Sequence, residues 1–192
     1  MRAFLTPRWI LSHLFLVTAV VAMAGAGFWQ LGRLDDRRDR NDEVRAALEA
    51  EPAPIESLLG ADPRDHRATV VRGRYRDDLA FLVANRTFDT QAGSWLVTPV
   101  ELDDGRVVAV SRGWVPRRWT AGDDPREVVT PDGAIEVRGR LFASVDGGRI
   151  GTGGDTALPQ VSRMDLDRVA ELLDVAVVDR WVQLDRQAPP GG

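Results

Sequence analysis

From Trp9 to Gly32 the chain runs 24 residues without an Asp, Glu, Lys or Arg, then turns abruptly into Arg33-Leu34-Asp35-Asp36-Arg37-Arg38-Asp39-Arg40. Inside that run Ile10 to Trp29 is dominated by Leu, Val, Ala, Phe and Ile. About 20 residues rising ~1.5 Å each reach the ~30 Å of a bilayer's hydrocarbon core. A segment of this length and composition spans a membrane or directs export, so the rest of the chain works tethered to a bilayer or delivered across one.

Two readings of the segment compete. Arg2 and Arg8, an apolar core and the small-residue run Ala22-Met23-Ala24-Gly25-Ala26 resemble a cleavable signal. The apolar run continues past that site to Phe28 and Trp29, however, and an indole at the edge of a span suits the headgroup region. The extension favours an uncleaved anchor. Arginines flank both ends of the span, with more of them after it, and the positive-inside rule alone leaves the orientation open. His13 and Thr18 are the strongly polar side chains deep in the span. An intramembrane His can serve as a metal ligand, and the simpler reading is a His near the interface of a plain anchor.

About 160 residues follow the span, enough for one domain with its own core. The net charge of −4 and pI near 5.3 exclude the basic face of a nucleic-acid binder. All 25 basic residues are arginine, which removes lysine chemistry. Cysteine is absent, removing disulfides, thiolate metal sites and a Cys nucleophile. Only His13 and His66 offer imidazole, too few for a zinc site with two or three His ligands in the soluble part.

Leu31 to Ala50 is charged and free of Pro and Gly after Gly32, and it extends the helix as a stalk until Glu51-Pro52-Ala53-Pro54 ends it. From Arg67 the pattern becomes β. Residues 68–75, 80–86 and 94–100 are short runs rich in β-branched and aromatic side chains. Asp103-Asp104-Gly105 signals a hairpin, and Arg106 to Val115 returns as the next strand. Pro116 to Gly133 reads as a long surface excursion. Residues 134–142 alternate at period two, with Glu136, Arg138 and Arg140 facing water. The glycine-dense stretch 146–154 lacks the G-K-[ST] ending of a phosphate loop and reads as a loop. Leu166, Val169, Ala170 and Leu173 mark a short helix capped by Asp165. Residues 175–184, with Trp181, form the last strand. The fold class expected is mainly β, an antiparallel sandwich or barrel-like domain, with one N-terminal transmembrane helix and one or two short helices.

Taken together, the motifs resemble the SURF1 family, membrane-anchored assembly factors for the haem-copper terminal oxidase. The residues that carry the resemblance are Gly27, Trp29, Gln30 and Arg33 in Gly27-Phe28-Trp29-Gln30-Leu31-Gly32-Arg33. They continue with Gly73 and Tyr75, then Asn85 and Arg86 followed by Gly93, and Thr98 and Pro99. Arg112, Gly113, Trp114 and Pro116 come next, and Gly139, Arg140 and Leu141 close the series. Each block alone is weak; five in register are specific.

The resemblance implies a cytoplasmic N-terminus at 1–9, a transmembrane helix at 10–29 and a helical stalk at 30–50. A linker at 51–66, an extracytoplasmic β-rich domain at 67–186 and a C-terminal linker remnant at 187–192 complete the division. It further implies location in a bacterial cell membrane and a non-enzymatic, chaperone-like role in assembly of cytochrome c oxidase, assisting insertion of haem a into subunit I. The partners implied are membrane lipid, oxidase subunit I and the haem a synthesis machinery, with no nucleic acid. Haem a would be a transient cofactor. The family pattern continues after Trp181-Val182-Gln183-Leu184 into a Pro-rich linker and a second membrane helix carrying a histidine. The sequence given stops at Pro189-Pro190-Gly191-Gly192, so direct haem ligation is not expected of the residues present.

Gln30 and Arg33 lie one helical turn apart, where they can reach headgroups or, alternatively, a haem propionate. They are the candidate cofactor-binding residues; no catalytic or metal residue is assigned. Arg86 and Arg112 are candidates for internal ion pairs and for surfaces offered to the oxidase, and His66 reads as an exposed surface side chain. Two other functions stay open: a generic tethered extracytoplasmic binding module and, against the residue inventory, a secreted hydrolase.

Overall fold

A computed structural model describes residues 7–60, 65–117, 130–151 and 158–189. It divides into two units, one through Ala46 and one from Ala47 on. In the first, helix α1 (Pro7–Glu49) begins and runs unbroken through both the apolar run and the charged stretch after it. Its apolar stretch, Arg8–Arg33, is long and apolar enough to cross a membrane, and its side chains lie fully outside any protein core. Leu14, Phe15, Phe28 and Trp29 are all exposed, as the side chains of a helix that could lie in lipid would be.

The second unit is strand-rich, as its β-branched runs predict. Its strands are β1 (Ala53–Pro54), β2 (Arg67–Tyr75), β3 (Phe81–Phe88), β4 (Gln91–Glu101) and β5 (Val107–Pro116). After these come β6 (Ile135–Ala143), β7 (Ile150–Gly151), β8 (Gln160–Val161) and β9 (Val177–Ala188), with helix α2 (Leu166–Leu173) before the last. The sheet runs β1-β2-β6-β9-β5-β4-β3-β8-β7, and β2 also pairs with β4 through Arg74↔Glu101 and Tyr75↔Val100. That extra pairing closes β2, β6, β9, β5 and β4 into a barrel, while β3, β8 and β7 extend from one edge of β4. Closure leaves only very short strands at the free ends, where exposed edges would invite aggregation.

The pairing is not wholly antiparallel. β5 with β9, β1 with β2 and β3 with β8 are parallel. The reason lies in the crossover: β9 enters beside β5 only after the chain has passed through β6 to β8 and α2, a connection that allows parallel neighbours.

Two glycines sit where the barrel must bend. Gly73 is the last residue of β2 paired with β6 before the strand switches to β4, and a Cβ there would strike the Glu101 carbonyl. Gly139 lies at the register shift between β6 and β9, where a Cβ would strike the Gln183 carbonyl. Such corners need backbone approach that only glycine permits.

The barrel interior is filled by Val71, Val100, Val108, Val110, Val137, Leu141 and Val182. On the outer face, under α2 and β8, Phe81, Val97, Ala109, Val161, Met164, Val169 and Trp181 form a second core. β5 therefore reads Val107-Val108-Ala109-Val110-Ser111 with every residue buried, because both of its faces are covered. α2 starts where Asp165 accepts the Arg168 amide at 3.3 Å and ends at Asp174 in a left-handed conformation.

Two boundaries expected from the sequence differ in the structure. Within the presumed linker 51–66, Ala53–Pro54 pairs with β2, Thr69 Oγ1 donates to the Ala53 carbonyl at 3.0 Å, and Ile55 is wholly buried in the barrel core. One inserted residue carries no periodicity, so no pattern in the sequence marks it. At the other end Gln187 and Ala188, assigned to a terminal remnant, pair with Val137 and Glu136 as the end of β9. The stretch 146–154, read as a loop, contributes Ile150–Gly151 as β7. Most of the predicted excursion 116–133 lies outside the described residues.

Candidate functional site

The motif residues gather in separate places. On α1, Gly27, Trp29, Gln30 and Arg33 lie on a fully exposed stretch, with the Arg33 guanidinium 5.8 Å from the Trp29 ring. The pair Gln30 and Arg33 stands as one polar turn beside an indole, suited to an interface.

The other motif blocks meet in the β domain where β3, β4 and β5 run side by side. A bulge between Val83 and Arg86 sets Ala84 and Asn85 opposite the single residue Ser94 and puts Asn85 at φ 58. Bulges of this kind re-aim a side chain. Here it is Arg86, whose guanidinium lies 4.2 Å over the Trp95 ring. Arg86 pairs with Gly93 on β4, and Gly93 pairs with Pro116 on β5. A Cβ at Gly93 would stand 2.5 Å from Trp114 Cε2, so the missing side chain is the space the Trp114 ring fills. Trp114 Nε1 in turn donates to the Arg86 carbonyl at 3.2 Å, and Phe88 lies 5.7 Å from its ring. From Trp95 the aromatic row continues to Trp181 at 5.8 Å, Phe142 at 4.7 Å from Trp181, and His66, edge-on at 4.8 Å from Phe142.

A second bulge shapes the opposite edge of β4. Leu96 pairs with Gly113 and Val97 with Ser111, leaving Arg112 as the extra residue and Gly113 at φ 144. Nothing lies near a Cβ at Gly113, so backbone conformation, not close approach, requires glycine there. Arg112 reaches to within 5.4 Å of the Tyr75 ring, and Tyr75 Oη donates to Gln187 Oε1 at 2.7 Å. Beside this pair the Arg76 amide donates to the Pro99 carbonyl at 2.8 Å, and Thr98 is buried in β4. Arg140 pairs with Asp185 at 3.4 Å, and Leu141 is a barrel core residue.

Two expectations change. Arg86 makes no ion pair among the described residues; its guanidinium stacks on an indole, and its Nε is buried without a hydrogen-bond partner. Burial, then the positive charge of Arg163, pushes it below its ordinary value. His66 is half-buried against Phe142 at φ 67, not a solvent-facing side chain. Trp95, Phe88, Arg163 and Gln187 escaped sequence reasoning. Trp95 had a signal, an aromatic residue in a strand two positions from a motif glycine; Arg163 and Gln187 had none, because their neighbours come from distant segments.

Tyr75 gives this region a direct reporter. Burial raises its phenol from 10.0 to about 12, with the Arg112 charge opposing and Asp77 adding. The folded chain therefore keeps the phenol proton longer than the unfolded one. Its contribution to stability is full below pH 10.0 and is lost as pH rises through about 12. Tyr75 is the sole tyrosine, so tyrosinate absorbance should show one transition near 12, moving to about 10 on unfolding in urea. A folded midpoint at 10 would contradict a buried phenol.

Among the described residues of α1, His13 and Arg33 do not fit one haem together. His13 Nδ1 donates to the Trp9 carbonyl at 2.8 Å, leaving only Nε2 for a metal. Arg33 lies 20 positions farther along the same helix, about 30 Å away. One porphyrin cannot be ligated by the first and hold a propionate on the second.

Fold and surface define a closed β-barrel domain that follows an apolar helix long enough to cross a bilayer and that carries an arginine-capped aromatic row. The family model described as the SURF1 family matches residues 17–192, and the chain belongs to that family. The family is one of assembly factors, not catalysts, and is generally linked to cytochrome c oxidase assembly. An uncharacterised SURF1-like protein of Mycobacterium bovis is 26% identical over 201 residues, covering 97% of this chain and 71% of that protein. A SURF1-like protein of Dictyostelium discoideum is 26% identical over 111 residues, covering 53% of this chain and 41% of its own. One from Rickettsia bellii is 24% identical over 121 residues, covering 59% and 49%.

Proposed function

We propose that this chain is a non-enzymatic, membrane-anchored factor that assists haem a insertion into subunit I of cytochrome c oxidase. In this reading α1 stays in the bilayer uncleaved, with residues 1–9 cytoplasmic and the barrel domain, from β1 to the end of β9, on the extracytoplasmic side of a bacterial cell membrane. The observation that carries it is the family match, which starts at residue 17 inside the apolar run and continues past the Ala24 region to residue 192. That overlap supports reading the second half of the apolar run as part of the working chain.

Haem a is cargo in this reading, not a resident group, since α1 alone offers no joint ligand and propionate site. Partners are membrane lipid, subunit I and the machinery that makes haem a. A binding role for the barrel is supported by the Arg86 cation on the Trp95 face and by the exposed Phe88 close to it.

Deleting the gene should lower the haem a absorbance of isolated membranes and oxidase activity, and the full chain supplied in trans should restore both. Unchanged haem a in the deletion strain would remove the insertion role. Recovery of the protein from the culture medium with a new terminus near Gly25 would instead support secretion.

A further inference from the structure

The Arg86 end of the aromatic row has the makings of a binding site for an acid. β8 runs parallel to β3 with Val83 opposite Val161, so the chain leaving β8 carries Arg163 in the same direction as the residues leading to Arg86. The charge of Arg163 is felt at Arg86, and neither guanidinium has an ion pair among the described residues. Like charges on neighbouring segments with no counter-ion among the described residues repel, and an anion between them relieves that cost. One flat face of Arg86 is taken by Trp95 and its Nε is buried, which leaves the two terminal Nη groups, a pair of donors that matches a planar carboxylate. Beside them Phe88, 64% exposed, stands against Trp114 and forms an apolar lip.

We propose that Arg86 and Arg163 receive a side-chain carboxylate from an acidic peptide segment of a partner protein, with Phe88 and Trp114 taking an apolar residue beside that acid. Trp95 is the platform that orients Arg86, the bulge at Asn85 aims it, and Gly93 makes room for Trp114. The site is independent of the oxidase reading, because a carboxylate receptor can be measured whatever the chain does in the cell.

The test is calorimetric titration of the full chain, reconstituted in phosphatidylcholine nanodiscs, with acetyl-Gly-Phe-Glu-Gly-amide and its glutamine counterpart. Saturable binding of the glutamate peptide is expected, with the glutamine peptide weaker by about tenfold or more, the scale of a charge-assisted pair. Arg163 is exposed, so Arg163→Gln should fold normally and weaken the glutamate peptide by a similar factor. Arg86→Lys keeps the charge but loses the planar stack, and it too should weaken binding. Equal binding of the two peptides, no binding of either, or unaltered binding by Arg163→Gln would overturn the proposal. So would inorganic phosphate competing as well as the peptide, or phosphatidylglycerol nanodiscs abolishing peptide binding, since the site would then serve phosphate or a lipid headgroup.

Discussion

Replacing Trp181 by alanine is expected to cost the β domain about 4 kcal/mol, the scale of removing a large buried aromatic side chain. Trp181 is 6% exposed, stacks on Phe142 at 4.7 Å and closes the core between the barrel's outer face and α2. Its Nε1 also donates to the Ala143 carbonyl at 2.9 Å, so alanine leaves a hole and an unpaired acceptor together. Domain stabilities of about 5–15 kcal/mol leave little after such a loss. Urea unfolding of the full chain followed by far-ultraviolet circular dichroism should show a much lower midpoint, with Trp181→Phe losing far less. A midpoint within experimental error of the parent would mean that Trp181 is not part of a packed core.

Gly93→Val should cost about 3 kcal/mol by overpacking. The new side chain would meet the Trp114 ring, at 2.5 Å from the Cβ alone, and the Val115 carbonyl. Backbone cannot yield as a flexible side chain would, so β4 and β5 must part or Trp114 must leave its place beside Gly93. The second outcome has its own signature: loss of the Trp114 hydrogen bond to the Arg86 carbonyl and a shift of indole fluorescence in the folded state. Gly113→Ala makes the contrast, because it meets no neighbour and its cost is confined to the φ of 144. If Gly93→Val matched the parent in both stability and fluorescence, the close approach of the two strands would be wrong.

Much of the β domain was legible because its signals are local. The hairpin at Asp103-Asp104-Gly105 forms as its turn chemistry predicts, with Gly105 at φ 83 and Asp104 accepting the Arg106 amide at 3.0 Å. Asp165 caps α2 for the same reason: a short acceptor beside free amides acts within one turn. The mainly antiparallel β domain expected is what forms; the parallel pairing of β5 with β9 was not legible, because pairing between strands so far apart in the chain leaves no trace in either strand's own pattern. Ile55 and Gln187 were missed for a related reason. Each makes its contacts singly, one by insertion into the barrel and one through the Tyr75 hydroxyl, and a single residue has no period.

The candidate site divides along the same line. Asn85, Arg86, Gly93 and Trp114 were visible as motif residues, yet their roles were not: Arg86 was expected in an ion pair and stands on Trp95 instead. Only the bulge and the strand pairing bring these residues together, and only the parallel β3–β8 register carries the chain at Arg163 toward them.

The order of amino acids alone thus specified the long apolar helix, the mainly β character of the domain after it and the family to which the chain belongs. Length, hydropathy and short-range periodicity are additive along a chain and survive without a fold. Closure of the barrel through β2 and β4, the two cores and the cation seated on the aromatic row arose only with tertiary packing. These depend on which distant strands lie side by side, and that choice is made by the whole domain, not by any one segment.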